Sequence, residues 1–318
     1  MKVTQHIEKA KGKPLFSFEI IPPLKGQHIQ SIFDNIDPLM EFNPPFIDVT
    51  YHREEYIYKE LDNGLLQKKV VRKRPGTVGI CAAIKNKYKV DAIPHILCGG
   101  FTQEDTENFL IDLDFLGIDN VVALRGDAVK TETYFKSEKN GHSFASDLVH
   151  QIENLNKGNY LDDDIQNSSA TDFCIGVAGY PEKHMEAPSL ESDLHFLKKK
   201  IRNGASYIIT QMFFDNQKYF EFKKKCREAG ITVPIIPGLK PIATKKQLNI
   251  IPQRFHVDLP DDLVREVIKC KDNEAIRQVG IEWGIKQSKE LLKNGVNVLH
   301  YYSMGKSDNI KAIAASVF

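Results

Sequence analysis

The sequence lacks the features that place a protein in a membrane, outside the cell or on a nucleic acid. Its 318 residues contain no apolar run long enough to span a bilayer. The N-terminal segment MKVTQHIEKAKGKP has no apolar core of the kind found in signal peptides. The formal net charge is +1, from 43 basic and 42 acidic residues, so no charge excess calls for an anionic partner. We therefore expect a cytoplasmic protein with no nucleic-acid or membrane partner.

Cysteines and the common cofactor motifs are also scarce. The chain contains neither HExxH nor GxGxxG, the usual signs of a zinc peptidase and of a Rossmann dinucleotide site. No CxxC pair occurs, and no histidine stands at zinc-ligand spacing from a cysteine. We interpret the five cysteines as reduced thiols: Cys81, Cys98, Cys174, Cys226 and Cys270. The sequence thus predicts no metal centre.

What the sequence does contain is an alternation of short apolar runs and amphipathic segments, repeated about eight times. Such alternation gives a parallel sheet. Eight units in this length favour a closed (β/α)8 TIM barrel, a single domain over residues 1–318, rather than an open doubly wound sheet. We interpret residues 61–74 as a basic, turn-rich and solvated connection. The polar stretches 130–141 and 156–172 are expected to be lids or spacers.

The stretch VVALRGD, residues 121–127, ends a predicted buried strand on three residues that suit a ligand site. Glycine lets the backbone approach a ligand closely, arginine offers a planar fork of donors, and aspartate offers a carboxylate. An ordinary turn after the strand explains Gly-Asp equally well. This stretch by itself leaves both interpretations open.

Polar side chains end most of the other predicted strands as well. In a parallel barrel the C-terminal strand ends meet at one mouth, where active sites lie. The residues at these ends are Glu19, Thr50, Tyr51, His95, Arg125, Asp127, Tyr180, Glu182, His184, Gln211, His300, Tyr301 and Tyr302. The set suits a flat, phosphate-bearing organic cofactor better than a metal ion. Three of its histidines could converge, although a satisfied structural histidine explains each of them.

Glu19 is the strongest single candidate for a catalytic residue, because it lies in the apolar segment SFEII, before two prolines. Burial favours the neutral form of a carboxyl group, so Glu19 could act as a general acid near neutral pH. The alternative is that Glu19 pairs with a basic residue across the mouth, as buried carboxylates usually do. Asp193 and Lys200, on a later predicted helix, are by themselves more typical of a solvated surface.

Eight motifs together resemble the methylenetetrahydrofolate reductase family of flavoproteins. In chain order they are SFEIIPP, DVTY, PHILC, ALRGD, VAGYPEKHMEA, ITQMFFD, IIPGLKPI and LHYYSM, spread between Leu15 and Lys306. The resemblance implies a (β/α)8 barrel with FAD at its mouth. It further implies reduction of 5,10-methylenetetrahydrofolate to 5-methyltetrahydrofolate, for methionine synthesis, by NADH or NADPH in a ping-pong cycle. The family also forms homo-oligomers.

The resemblance assigns roles to individual residues. Glu19 corresponds to the general acid that protonates nitrogen 10 of the folate, and Asp127 to the aspartate beside flavin and pterin. The implied FAD contacts are Tyr51, His95, Arg125, Gly126, Asp127, Tyr180, His184, Asp193 and Lys200. The implied substrate contacts are Thr50, Asp127, Gln211, Gln247 and Lys306.

Two positions depart from the bacterial pattern of the family. Ile251 occupies the position of a phenylalanine that stacks on the bound substrate, and Phe255 is the nearest aromatic residue. Such stacking stabilises by about 0.5–1.5 kcal/mol beyond burial. Lys306 replaces an arginine, which keeps the charge but loses the fork geometry. We expect these changes to alter substrate affinity and to leave the chemistry intact.

Two alternatives to a flavoprotein reductase remain. The first is a flavin-free barrel that binds pterin or folate, or transfers a methyl group; the second, with weaker support, is a metal-dependent hydrolase. Because the chain ends at Phe318 without the long regulatory domain of the animal enzymes, we do not expect inhibition by S-adenosylmethionine.

Overall fold

The chain folds into a parallel β-barrel surrounded by helices. The computed structural model describes residues 1–129, 132–303 and 305–318. Its strands are β1 (Leu15–Ile20), β2 (Phe46–Val49), β3 (Glu55–Glu60), β4 (Leu66–Val71), β5 (Asp91–Leu97), β6 (Asn120–Leu124), β7 (Cys174–Gly179), β8 (Tyr207–Thr210), β9 (Ile235–Ile236), β10 (Gly238–Leu239) and β11 (Val298–Tyr302).

Helices follow most of the barrel strands and cover their outer faces. The α-helices are α1 (Val3–Ala10), α2 (Gln30–Ile36), α3 (Val78–Tyr88), α4 (Gln103–Phe115), α5 (Ala145–Asn156), α6 (Leu190–Arg202), α7 (Asn216–Glu228), α8 (Gln247–Phe255), α9 (Asp261–Lys269), α10 (Asn273–Lys293) and α11 (Asp308–Val317). A 3-10 helix covers Asp37–Phe42. Within the described residues, no helix is both long and apolar enough to cross a membrane.

The sheet closes through an interrupted strand. All strands except β3 and β4 form one parallel sheet in the order β10-β11-β1-β2-β5-β6-β7-β8-β9. Strand β9 pairs with β8 and β10 pairs with β11, so the two short pieces on either side of Pro237 act as one strand. The carbonyl of Pro237 accepts a hydrogen bond from the amide of His300 at 3.1 Å. The predicted (β/α)8 barrel is confirmed.

Alternation along β1 explains how one strand serves both the core and the mouth. Successive side chains of a strand point to opposite faces. Phe16, Phe18 and Ile20 are buried in the large apolar cluster shared with the helices. Ser17 instead shares a 3.0 Å hydrogen bond with Nδ1 of the buried His300, inside the barrel. Glu19 lies on the same side of β1 as Ser17, one pleat closer to the C-terminal end.

The N-terminal helix α1 closes the end of the barrel opposite the mouth. Val3 is fully buried there, and its amide donates a 2.8 Å hydrogen bond to the side chain of Asn120 at the start of β6. His6 and the N-terminal amine both contact the carboxylate of Asp91 at the start of β5. The sequence interpretation had only a polar segment here, although Val3 and Ile7 stand four residues apart and pack into the same apolar cluster.

The connection at residues 61–74 is more ordered than predicted. Strand β4 lies within it and pairs antiparallel with β3, which forms a hairpin whose residues are mostly exposed. The expectation of a turn-rich segment was therefore wrong for residues 66–71, although the segment is solvated. Two exposed faces leave no alternation of apolar and polar residues for a sequence pattern to detect. Residues 130 and 131, in the polar stretch 130–141, and Met304, in the motif LHYYSM, lie outside the described residues.

Candidate active site

Glu19 lies at the C-terminal end of β1, and its side chain is 12% exposed. The hydroxyl of Thr50, just after β2, donates a 2.5 Å hydrogen bond to Oε1 of Glu19 and is also 3.0 Å from the carbonyl of Ile20. Two consecutive prolines follow β1, so the strand cannot extend past the mouth. Glu19 and Thr50, predicted at neighbouring strand ends, are thus brought together.

One nitrogen of His95 faces two carboxylates. Nε2 of His95, on β5, lies 3.6 Å from Oε2 of Glu19 and 3.6 Å from Oδ2 of Asp48 on β2. Burial alone would lower the pKa of His95, but the charges of Glu19 and Asp48 outweigh it and raise that pKa above its usual value. The basic partner considered for Glu19 is therefore present, and it is His95.

Lys240 is a second cation near Glu19, and no role was expected for it. It follows β10, and burial lowers its pKa to about 8, while the charge of Glu19 opposes that shift. The sequence contained one clue, since a lysine stands in the otherwise apolar motif IIPGLKPI. Asp48 was also missed, because the predicted second strand ran on to Tyr51, whereas β2 ends at Val49.

The end of β6 presents Arg125, Gly126 and Asp127, as the strand-end argument predicted. Gly126 has a φ of +86°, a conformation that glycine adopts without strain. The guanidinium of Arg125 forms a bidentate ion pair with Glu186 and lies 5.0 Å from the ring centre of Phe135. Asp127 is exposed, so its carboxylate is accessible to a ligand at the mouth.

Four of the expected cofactor residues cluster between β7 and α6. The rings of Tyr180 and His184 meet edge to face, with centres 4.7 Å apart, and the amide of His184 donates a 2.9 Å hydrogen bond to Asp193. The amine of Lys200 donates a 2.7 Å hydrogen bond to the carbonyl of Ala178 in β7. Burial lowers the pKa of Lys200 to about 8, against the opposing charge of Asp193. Asp193 and Lys200 therefore lie on the inner face of α6, and the alternative that they are solvated surface charges does not explain their contacts.

Tyr51 belongs to a small apolar cluster beside this site. It is 5% exposed, and its ring lies 5.1 Å from that of Phe101. Its hydroxyl accepts a hydrogen bond from Arg72 at the end of the exposed hairpin, and burial raises its pKa. Within the described residues, no group of three or more His, Cys, Asp or Glu side chains is close enough together to hold a metal ion.

Comparison with known proteins agrees with this geometry. The family model described as Methylenetetrahydrofolate reductase matches residues 2–317. This chain belongs to that family. The 5,10-methylenetetrahydrofolate reductase of Escherichia coli is 30% identical over 316 residues, which cover 98% of this chain and 93% of the bacterial protein.

Other relatives differ in length. Methylenetetrahydrofolate reductase (NADH) 1 of Zea mays is 31% identical over 316 residues, which cover 96% of this chain but 48% of the maize protein. The chain therefore spans about half the length of its plant relatives. A solved structure from Clostridium thermocellum, described as binding two copies of 5-methyl-5,6,7,8-tetrahydrofolic acid, has a TM-score of 0.59 at 15% identity. It covers 99% of this chain and 97% of its own, and it supports the fold alone.

Three of the substrate contacts implied by the family resemblance stand apart from the centre at Glu19. In the described part of the chain, no hydrogen bond or ion pair joins Gln211, Gln247 or Lys306 to Glu19 or His95. The side chain of Gln247 accepts hydrogen bonds of 2.6 and 3.0 Å from two backbone amides just before α8. Gln211 bonds the next amide along the chain, and Lys306 is exposed. Their roles toward a substrate stay predictions.

The two candidates for the family's stacking phenylalanine both pack into a separate apolar cluster. Ile251, on α8, is 1% exposed and contributes to a cluster with Phe214 and Leu263. Phe255, one turn later, is partly buried against the same cluster. In this structure Ile251 is thus a core residue and presents little surface to a ring at the mouth.

Proposed function

We propose that this protein is an FAD-dependent reductase that converts 5,10-methylenetetrahydrofolate to 5-methyltetrahydrofolate with NADH or NADPH as the electron donor. The observation that carries this proposal is the centre at Glu19, a mostly buried carboxyl group that Thr50 binds and His95 faces, in a chain of this family. A carboxyl group held in this way at a barrel mouth suits proton transfer to a bound substrate.

The donors at the mouth fit a flavin dinucleotide. Arg53 and Arg72 each carry a buried Nε–H group without a hydrogen-bond partner among the described residues, although Arg72 Nε also lies 3.6 Å from Glu54 in an ion pair. Together with Arg125 and Lys200 they provide donors suited to phosphate oxygens and ring carbonyls. The residues that would hold FAD are Tyr51, His95, Arg125, Gly126, Asp127, Tyr180, His184, Asp193 and Lys200.

FAD, when bound, would supply hydride transfer from the nicotinamide donor to the folate. Glu19 would give its proton to nitrogen 10 of the folate, which breaks the bond from that nitrogen to the bridging carbon. The resulting methylene iminium on nitrogen 5 of the folate would accept the hydride and become the methyl group. Thr50 orients Glu19 through Oε1, and Asp127 can accept hydrogen bonds from the pterin ring.

The same mouth would serve both substrates in turn, which predicts ping-pong kinetics. The names of relatives include NADH forms, as in maize, and an NADPH form in Caenorhabditis elegans, so both donors should be assayed. Thr50, Gln211, Gln247 and Lys306 are the proposed substrate contacts. The homo-oligomer and the cytoplasmic location stay predictions.

The test is an absorbance spectrum of the purified protein under anaerobic conditions. We expect a flavin band that bleaches with NADH or NADPH and returns when 5,10-methylenetetrahydrofolate is added. If the protein takes up no flavin even after incubation with FAD, the proposal is wrong. The flavin-free pterin-binding barrel then becomes the better explanation, and the structural likeness to the tetrahydrofolate-binding protein of Clostridium thermocellum makes direct folate binding the next measurement.

A further inference from the structure

Asp48 is a buried carboxyl group that the proposed reaction does not use. Its side chain is fully buried within the barrel, and neither of its oxygens has a hydrogen-bond partner among the described residues. Burying a carboxylate without hydrogen bonds or an opposite charge is costly. A group of this kind therefore needs a cation beside it.

Among the described residues, the surroundings of Asp48 offer one such cation, since the second cation, Lys240, interacts with Glu19 and not with Asp48. The ionisable groups that face His95 are Glu19 from β1, Asp48 from β2, His52 after β2 and His300 from β11. Burial lowers the pKa of His52 and of His300, so neither supplies a positive charge near neutral pH. His95, at 3.6 Å from Asp48, is the remaining imidazole.

Register explains why Asp48 and Glu19 face the same histidine. Glu19 and Asp48 are directly paired across β1 and β2, so their side chains emerge on the same face of the sheet. Strand β5, which carries His95, is the next neighbour of β2. Both distances from Nε2 of His95 are 3.6 Å, beyond a normal hydrogen bond, so a small rotation of the ring can favour either carboxylate.

We propose that Asp48 is a positioning residue that keeps His95 protonated beside Glu19. While Glu19 holds its proton, the Nε2–H of His95 is directed at Asp48. After Glu19 has given its proton to the folate, the same N–H turns to the new carboxylate and stabilises it. His95 keeps its own proton throughout, so the proton balance of the reaction is unchanged. The catalytic consequence rests on the proposed function, whereas the protonation of His95 does not.

The first test is an NMR titration of the His95 ring, with an H95N variant to assign its signals. The control is D91N, because Asp91 pairs with His6 at the opposite end of the barrel. In D48N we expect the titration midpoint of His95 to fall by about one pH unit, since one of two opposite charges is lost, and in D91N to stay unchanged. An unchanged midpoint in D48N would overturn the proposal. If D48N does not fold, Asp48→Ser, whose smaller side chain leaves room for a water molecule, takes its place.

The second test separates positioning from simple stability. In D48N, we expect reoxidation of the flavin by the folate to slow roughly tenfold, a modest part of what acid–base catalysis supplies. The rate of this reoxidation decreases at high pH, and in D48N that decrease should begin at a lower pH than in the wild type, because His95 loses its proton earlier. Flavin reduction by the nicotinamide donor should be unchanged. Equal slowing of both half-reactions with an unshifted pH profile would assign Asp48 a structural role only. If the wild-type protein shows neither half-reaction, the proposed function fails, and the titration still decides the state of His95.

Discussion

The two ends of the barrel each pair a histidine with a carboxylate, and they do so differently. At the closed end, Nε2 of His6 lies 2.7 Å from Asp91, which also accepts a 3.1 Å hydrogen bond from the N-terminal amine. At the mouth, His95 lies 3.6 Å from each of two carboxylates. The closed end completes its hydrogen bonds with the protein itself, whereas the mouth leaves them incomplete. Incomplete polar contacts in a buried site are typical of function, because a substrate or a proton must complete them.

The largest expected effect comes from Glu19→Gln at the mouth. The amide keeps the shape of the side chain but has no acidic proton to give, so folate-dependent reoxidation of the flavin should fall by at least ~100-fold. Bleaching by the nicotinamide donor should be nearly unaffected. Stopped-flow absorbance measures both half-reactions separately, and a similar loss in both would contradict the acid role of Glu19.

A smaller effect is expected from Lys200→Met at the proposed FAD site. Loss of the cation should weaken FAD binding roughly tenfold, by removing the proposed charged hydrogen bond to the cofactor. The neighbouring Lys199 is 48% exposed and pairs with Asp147, so K199M is the matched control. The pKa of Lys200, lowered to about 8 by burial, also predicts that FAD affinity decreases as the pH rises through about 8.

Fluorescence titration of the apoprotein with FAD measures both effects. Equal FAD affinities of K200M and K199M would mean that Lys200 has only a structural role. A wild-type FAD affinity that does not change between pH 7 and pH 9 would mean the same.

The smallest effect on activity is expected from Asp91→Asn at the closed end. Both half-reactions should stay close to wild type, while the free energy of unfolding falls by about 1–3 kcal/mol through the loss of the charged hydrogen bonds to His6 and the N-terminal amine. Burial raises the pKa of Asp91, but hydrogen bonds from His6 and the N-terminal amine outweigh it and lower that pKa. The stabilisation is therefore fully present above the ordinary aspartate pKa and is lost as the pH falls from there through the lowered pKa of the folded protein.

Urea denaturation of wild type and D91N at pH 7 and near pH 3 checks this difference. A loss of activity in D91N without a loss of stability would mean that the two ends of the barrel are coupled, and the comparison between them would fail.

Much of the site was predictable, and what was missed has a physical cause. Glu19 and Thr50 were found because they lie at or just after strand ends, and strand ends share one mouth. His95 was predicted by the same argument, although it lies two residues before the end of β5. Asp48 was missed because the predicted second strand ended at Tyr51, three residues beyond it, so Asp48 was not among the predicted end residues. The resemblance left open whether Ile251 or Phe255 takes the place of the stacking phenylalanine. The structure buries Ile251, because helix packing and not chain position decides which face of α8 points to the core.

The sequence by itself determined the alternation of strands and helices, the barrel that follows from it and the residues that end each strand. These features depend on local periodicity and on the common direction of parallel strands, and short stretches of consecutive residues are enough to predict them. The tertiary structure alone decided that Glu19, Asp48 and His95 meet. They come from three neighbouring strands, and only the register between those strands fixes which side chains share a face and at what distance.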